Sequence, residues 1–173
     1  MKIAETLKRV FERIHSSAAK AGRNPDDIKL VAVTKTVALP EIIEAINAGV
    51  KILGENRVQE AQKKIQDARF RMQDKDIEWH LIGNLQKNKA KYAVQLFDLI
   101  HAIDSIPLAD EVNKQSEKIG KQQRVLVEVK LSDEPAKHGV PEKDLIELLE
   151  KISGMKNLKL EGLMTMPPFF KDP

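Results

Sequence analysis

Cysteine is absent from the 173 residues, which removes disulfides, thiolate metal sites and thiol nucleophiles together and fits a reducing compartment. Aromatic residues make up only 4%, too few for the stacking platforms of single-strand or RNA binders. Neither charge sign dominates: 29 basic and 26 acidic residues leave +3, interleaved along the chain rather than gathered in a block. Composition therefore carries no nucleic-acid footprint. Long hydrophobic runs are missing too. Lys2, Glu5, Lys8, Arg9, Glu12 and Arg13 interrupt the first apolar residues, which argues against a signal core or a membrane span and makes the cytoplasm the expected address.

What is present is an ordinary soluble composition, 42% hydrophobic and 32% charged, with room for one domain over residues 1–173. Ile3, Leu7, Val10, Phe11, Ile14 and Ala18 recur at three- and four-residue steps, which predicts an opening amphipathic helix that stops near Gly22. A β-branched run, Leu30 to Thr34, follows. Next comes a helical pattern, Ile42, Ile43, Ala45 and Ile46, closed by Gly49. The same strand and helix alternation continues, with strands predicted at Ile52–Glu55, Ile77–Ile82, Leu99–Ile103, Arg124–Val129 and Leu158–Met164. Helices are predicted between them, including 58–70 and 85–96. The strand starts are roughly 22–34 residues apart, enough for a crossover helix each time, so a parallel sheet is expected.

Two α/β architectures accommodate such a run: an open doubly wound sheet, or a (β/α) barrel of the TIM type lacking its last two units. Length favours the first. The first strand-to-helix turn, Thr34-Lys35-Thr36-Val37-Ala38-Leu39-Pro40, contains no glycine, so the phosphate-cradling turn of dinucleotide folds is absent there. A barrel of about six units fits too.

In parallel α/β folds, functional groups gather where the strands end. The predicted rim delivers Lys35, Glu55 and Asn56, His80 and Asn84, Asp104, Lys130, and Met164-Thr165-Met166. Lys35 closes an apolar strand and would share a face with Val31 and Val33. Partial desolvation would favour its free amine, the form that condenses with an aldehyde; equally, a strand-end lysine snorkels to solvent. Asn56 could hydrogen-bond a ligand or cap the helix that follows. His80, beside the only tryptophan, could line a pocket or be a satisfied core residue. The histidines at 15, 80, 101 and 138 lie in unrelated segments, so no metal set is expected, and no Gly-x-Ser-x-Gly elbow occurs.

Four strings in order and spacing carry a resemblance: Val31-Ala32-Val33-Thr34-Lys35, Gly54-Glu55-Asn56-Arg57-Val58-Gln59-Glu60, Trp79-His80-Leu81-Ile82-Gly83-Asn84-Leu85-Gln86-Lys87-Asn88-Lys89, and Gly162-Leu163-Met164-Thr165-Met166. Together they resemble the pyridoxal phosphate homeostasis protein family over essentially the whole chain. The resemblance implies a barrel like the N-terminal domain of alanine racemase, with an extra N-terminal helix and with pyridoxal 5′-phosphate held as a Schiff base on Lys35. It also implies Asn56 and His80 as pocket walls, and Lys137, in Glu134-Pro135-Ala136-Lys137-His138-Gly139, as a further cofactor-binding residue near the mouth. The family's Ser-Met-Gly-Met-Ser and Arg-x-Gly segments, which hold the phosphate, do not occur here, which predicts weakened retention of the cofactor.

The expected function is therefore binding of pyridoxal phosphate in vitamin B6 homeostasis, without catalysis and without metal. The expected partners are the cofactor and the apo-enzymes that require it. A monomer is expected, with oligomers conceivable through exposed sheet edges. The rival enzyme reading is an amino-acid racemase, which needs a second base for which the sequence offers little beyond Tyr92. A third reading, anion or nucleic-acid binding by Lys87, Lys89 and Lys91, has the least support.

Overall fold

The computed structural model describes residues 3–71, 76–131 and 138–166, with the side chains of 69–71 left out of account. The opening helix, α1 (Ile3–Lys20), follows the predicted stripe, and only Ala18 of it is fully buried. A short 3-10 turn at Pro25–Asp27 then leads to β1 (Val31–Val33). The order continues α2 (Leu39–Asn47), β2 (Ile52–Glu55), α3 (Val58–Arg71), β3 (Glu78–Leu81), α4 (Ala90–Leu96), β4 (Leu99–Ile103), α5 (Ile106–Lys118), β5 (Gln123–Val129), α6 (Glu142–Ser153) and β6 (Leu158–Thr165). Where a helix was expected from residue 85, Gln86 is extended and a 3-10 turn at Lys87–Lys89 precedes α4, so the regular helix starts only at Ala90.

All six strands are parallel, and their order across the sheet is their order in the chain, β1 to β6. A doubly wound sheet reverses direction at a switch point and carries helices on both faces. This sheet never reverses, which is the winding of a barrel wall. Side-chain alternation gives its two faces opposite chemistry. Leu53, Trp79, Leu81, Ile100, Ala102, Val125 and Val127 point outward and pack with Ile42, Ile46, Ala61, Ile65, Val112, Leu148 and Ile152 from the helices. The inward residues Glu78, His80, His101, Arg124 and Glu161 instead form a polar network. Among the described residues, no helix is long and apolar enough to cross a membrane.

Candidate functional site

The strand ends open on a cavity of about 350 Å³ whose polar wall comprises Lys35, Asn56, Asn84, Glu128, Lys130 and His138. Val33, Ile82 and Met166 supply apolar wall. Two amines, two amides, an imidazole and a buried acid beside aliphatic surface form a set that suits a small, partly apolar, carbonyl-bearing ligand. Among the described residues no cluster of three metal-ligating side chains occurs.

Lys35 lines this cavity but is exposed, against the expectation of a half-shielded amine. In the described sheet β1 stands at the edge, so Lys35 and Val33, which is 49% exposed, have a neighbouring strand on one side only. Asn56, half-buried, lines the same cavity. The first hydrogen bond of α3 runs from the Ala61 N–H to the Arg57 carbonyl, so Arg57 rather than Asn56 holds the cap position. Gly83 presses on Asn56 so closely that a Cβ there would sit 2.8 Å from the Asn56 Cα, which is why the turn after β3 requires glycine. Glu55, expected at the rim, points outward into the helix layer and is fully buried.

His80 is placed elsewhere. It is 3% exposed and lies below the mouth, where Ile82 takes the cavity-lining place on the inner face of that segment. Its Nε2 is 3.0 Å from Glu78 Oε2, and its Nδ1 is 3.0 Å from His101 Nε2. Strand register brings together two histidines that sequence separation had kept apart. Burial lowers the pKa of His80 in spite of Glu78, and burial with the neighbouring His80 and Arg124 lowers that of His101 from 6.5 to about 4. Both rings are then neutral near pH 7, and the contact between His80 and Glu78 is a hydrogen bond rather than an ion pair. Nε2–H of His80 donates to Glu78, so Nδ1 must accept from Nε2–H of His101. Burial pulls the Glu78 carboxyl upward, but hydrogen bonds from His80 and Arg124 outweigh it and hold that carboxyl below its usual value. Arg124 continues the network to Glu161, with Nε at 3.0 Å from Oε1, and Lys159 meets the same oxygen at 3.0 Å.

Lys137, the fourth expected site residue, lies outside the described residues. Two polar members of the cavity wall, Glu128 and His138, do not directly follow a predicted strand. Glu128 is 7% exposed, and burial pushes its carboxyl up, with Asp104 reinforcing the shift and His138 opposing it. Its signal was a single acid inside the apolar run of β5. His138 reaches the wall because Gly139, at φ +121°, turns the chain tightly against Lys130, where a Cβ would lie 2.6 Å from the Lys130 nitrogen.

Comparison with known proteins gives four findings. The family model described as the alanine racemase N-terminal domain matches residues 6–173. A pyridoxal phosphate homeostasis protein of Aquifex aeolicus is 44% identical over 174 residues, covering 100% of this chain and 74% of that protein. Among solved structures, PipY of Synechococcus elongatus with PLP bound has a TM-score of 0.80 at 34% identity, over 98% of this chain and 72% of that one. An alanine racemase of Clostridium difficile shares the fold alone, with a TM-score of 0.65 at 15% identity over 88% of this chain and 39% of that one.

Proposed function

The chain belongs to the pyridoxal phosphate homeostasis protein family, built on the alanine racemase N-terminal domain, and from that premise we propose that it holds pyridoxal 5′-phosphate on Lys35 as a reserve rather than as a catalyst. The observation that carries this reading is that Lys35 and Asn56, delivered by neighbouring strands, open on one cavity of mixed polar and aliphatic wall. The chemistry that the bound cofactor supplies is an electrophilic aldehyde. The Lys35 amine would hold that aldehyde covalently with loss of one water, and the bond would be open to hydrolysis. The amides of Asn56 and Asn84 are suited to orient a ring, Val33 and Ile82 to cover its face, and Glu128 to hold a proton at the wall. His80 and Lys137 enter the reading less directly, His80 as a support beneath the pocket and Lys137 only as a cofactor-binding residue that the family resemblance implies. Because the bond is reversible, the recipients of the cofactor would be apo-enzymes that need it.

The test is direct. Pyridoxal phosphate added to the protein should give the imine absorption band, and borohydride reduction should fix the label on the peptide that carries Lys35. Lys35→Ala should abolish both, and an unchanged band in that variant would overturn the assignment. Racemisation, the rival suggested by the fold, needs a second base beside the cofactor. Tyr92 is a poor candidate, since it sits on α4 with the Lys91 amine 4.5 Å above its ring, and it does not line the cavity. Exchange of amino-acid α-protons with solvent deuterium, at enzymatic rates, would favour that rival.

A further inference from the structure

On the outer face of the sheet, directly behind Lys35, lies a buried ionic cluster that the holding reaction does not touch. Lys64, on α3, donates from Nζ to the Thr34 carbonyl at 2.7 Å and to Glu55 Oε1 at 2.9 Å. The Thr34 hydroxyl donates to the same Glu55 oxygen at 2.7 Å. The Glu55 side chain is 0% exposed and that of Lys64 20%, while Glu55 Oε2 is buried with no hydrogen-bond partner among the described residues. A buried ion pair is a poor stabiliser compared with apolar packing of the same volume, more so with one carboxylate oxygen unsatisfied. Stability alone therefore explains it badly.

The backbone it grips suggests a better explanation. The carbonyl of Thr34 belongs to the peptide that joins Thr34 to Lys35, so Lys64 holds the root of the Lys35 side chain. The same oxygen accepts from the Val37 N–H at 3.0 Å, and the Thr34 N–H donates to Gly54 at 2.9 Å. Between them Thr36 stands at φ 62°, a left-handed conformation that a β-branched residue adopts only where its surroundings impose it. Alternation along the strand does the rest: with Thr34 clamped outward, Lys35 must project inward, over the cavity.

We propose that Lys64, acting through Glu55 and Thr34, is a positioning residue that fixes the turn at 34–37 and thereby aims the Lys35 amine at the ligand. This rests on the reading that Lys35 carries the aldehyde. Lys64 does not touch the ligand. Its ammonium neutralises Glu55 and pins the peptide whose orientation sets where the Lys35 chain begins.

The test uses Lys64→Met, which keeps the apolar stem and removes the cation. Amide hydrogen exchange, without ligand, should speed up about tenfold or more at Val37 while β4 and β5 keep wild-type protection, because the loss is local. Affinity for pyridoxal phosphate, read from the imine band, should fall about tenfold or more. Borohydride trapping should shift label from Lys35 to other surface lysines. Where the stranded Glu55 charge unfolds this variant, Glu55→Gln combined with Lys64→Met removes the charge and carries the same measurements. Unchanged exchange at Val37 would overturn the proposal, and so would faster exchange with undiminished labelling of Lys35. Absence of any imine on Lys35 in the wild-type protein would instead refute the holding function itself, so the two failures are distinguishable.

Discussion

Replacing His101 by Gln should flatten the dependence of stability on pH between neutrality and mild acid. In the folded chain burial, with His80 and Arg124 nearby, lowers His101 from 6.5 to about 4, whereas the unfolded chain titrates near 6.5. The folded pKa lies below the unfolded one, so the unfolded chain binds the proton first. Stability is fully present above about pH 6.5 and is lost progressively as pH falls towards 4. From about pH 7.5 to about pH 5, linkage for one such group removes ~2 kcal/mol. Partial exposure of the ring screens this to ~1 kcal/mol. With a urea slope of ~2 kcal/mol per molar, the unfolding midpoint should fall by ~0.5 M over that interval. His80, also lowered, adds to the slope, while Glu128, raised by burial, opposes it. Glu78 and Glu161, both lowered, act only at more acid pH. The comparison is therefore between wild type and variant, not against an absolute slope. Gln can keep the donor to His80 Nδ1 without titrating. Paired urea melts at the two pH values decide the matter, and equal slopes in the two proteins would refute the assignment of two neutral rings joined by one hydrogen bond.

Gly83→Ala should destabilise the fold by ~1–3 kcal/mol and weaken binding at the mouth, because the added methyl meets backbone rather than a movable side chain; denaturant melts and the imine titration read both effects. Glu128→Gln should stabilise the protein at about pH 8, where the buried carboxylate must carry charge, and have little effect at about pH 4.5, a difference thermal melts at the two pH values would detect. Trp79→Ala should cost ~3–5 kcal/mol in denaturant melts, since the indole is 1% exposed and fills the space between β3 and the helix layer.

Much of the architecture was legible because it is written locally. Each β-branched run of four to seven residues became a strand close to its expected bounds, and the pitch between runs already required parallel crossovers. The choice between the two α/β windings needed the observed strand order, which no local pattern carries. The mouth was legible where its residues directly follow strand ends, as Lys35 and Asn56 do on one cavity. Glu128 was not, because it lies within β5 rather than after it. The exposure of Lys35 follows from the place of β1 at the edge of the described sheet, and the contact between His80 and His101 from register across β3 and β4. Both are long-range facts that one segment cannot reveal. The Lys64 cluster was invisible for the same reason: its three members come from β2, α3 and the end of β1.

The alternation of faces along β1 also constrains how this stretch of chain can change over time. Inserting or deleting one residue between Val31 and Thr34 would exchange the roles of neighbours, turning a hydroxyl toward the ligand and driving an ammonium among Leu53, Trp79 and the helices. Drift in length is therefore tolerable only in steps of two, whereas the turns at the far ends of the helices face no such parity rule.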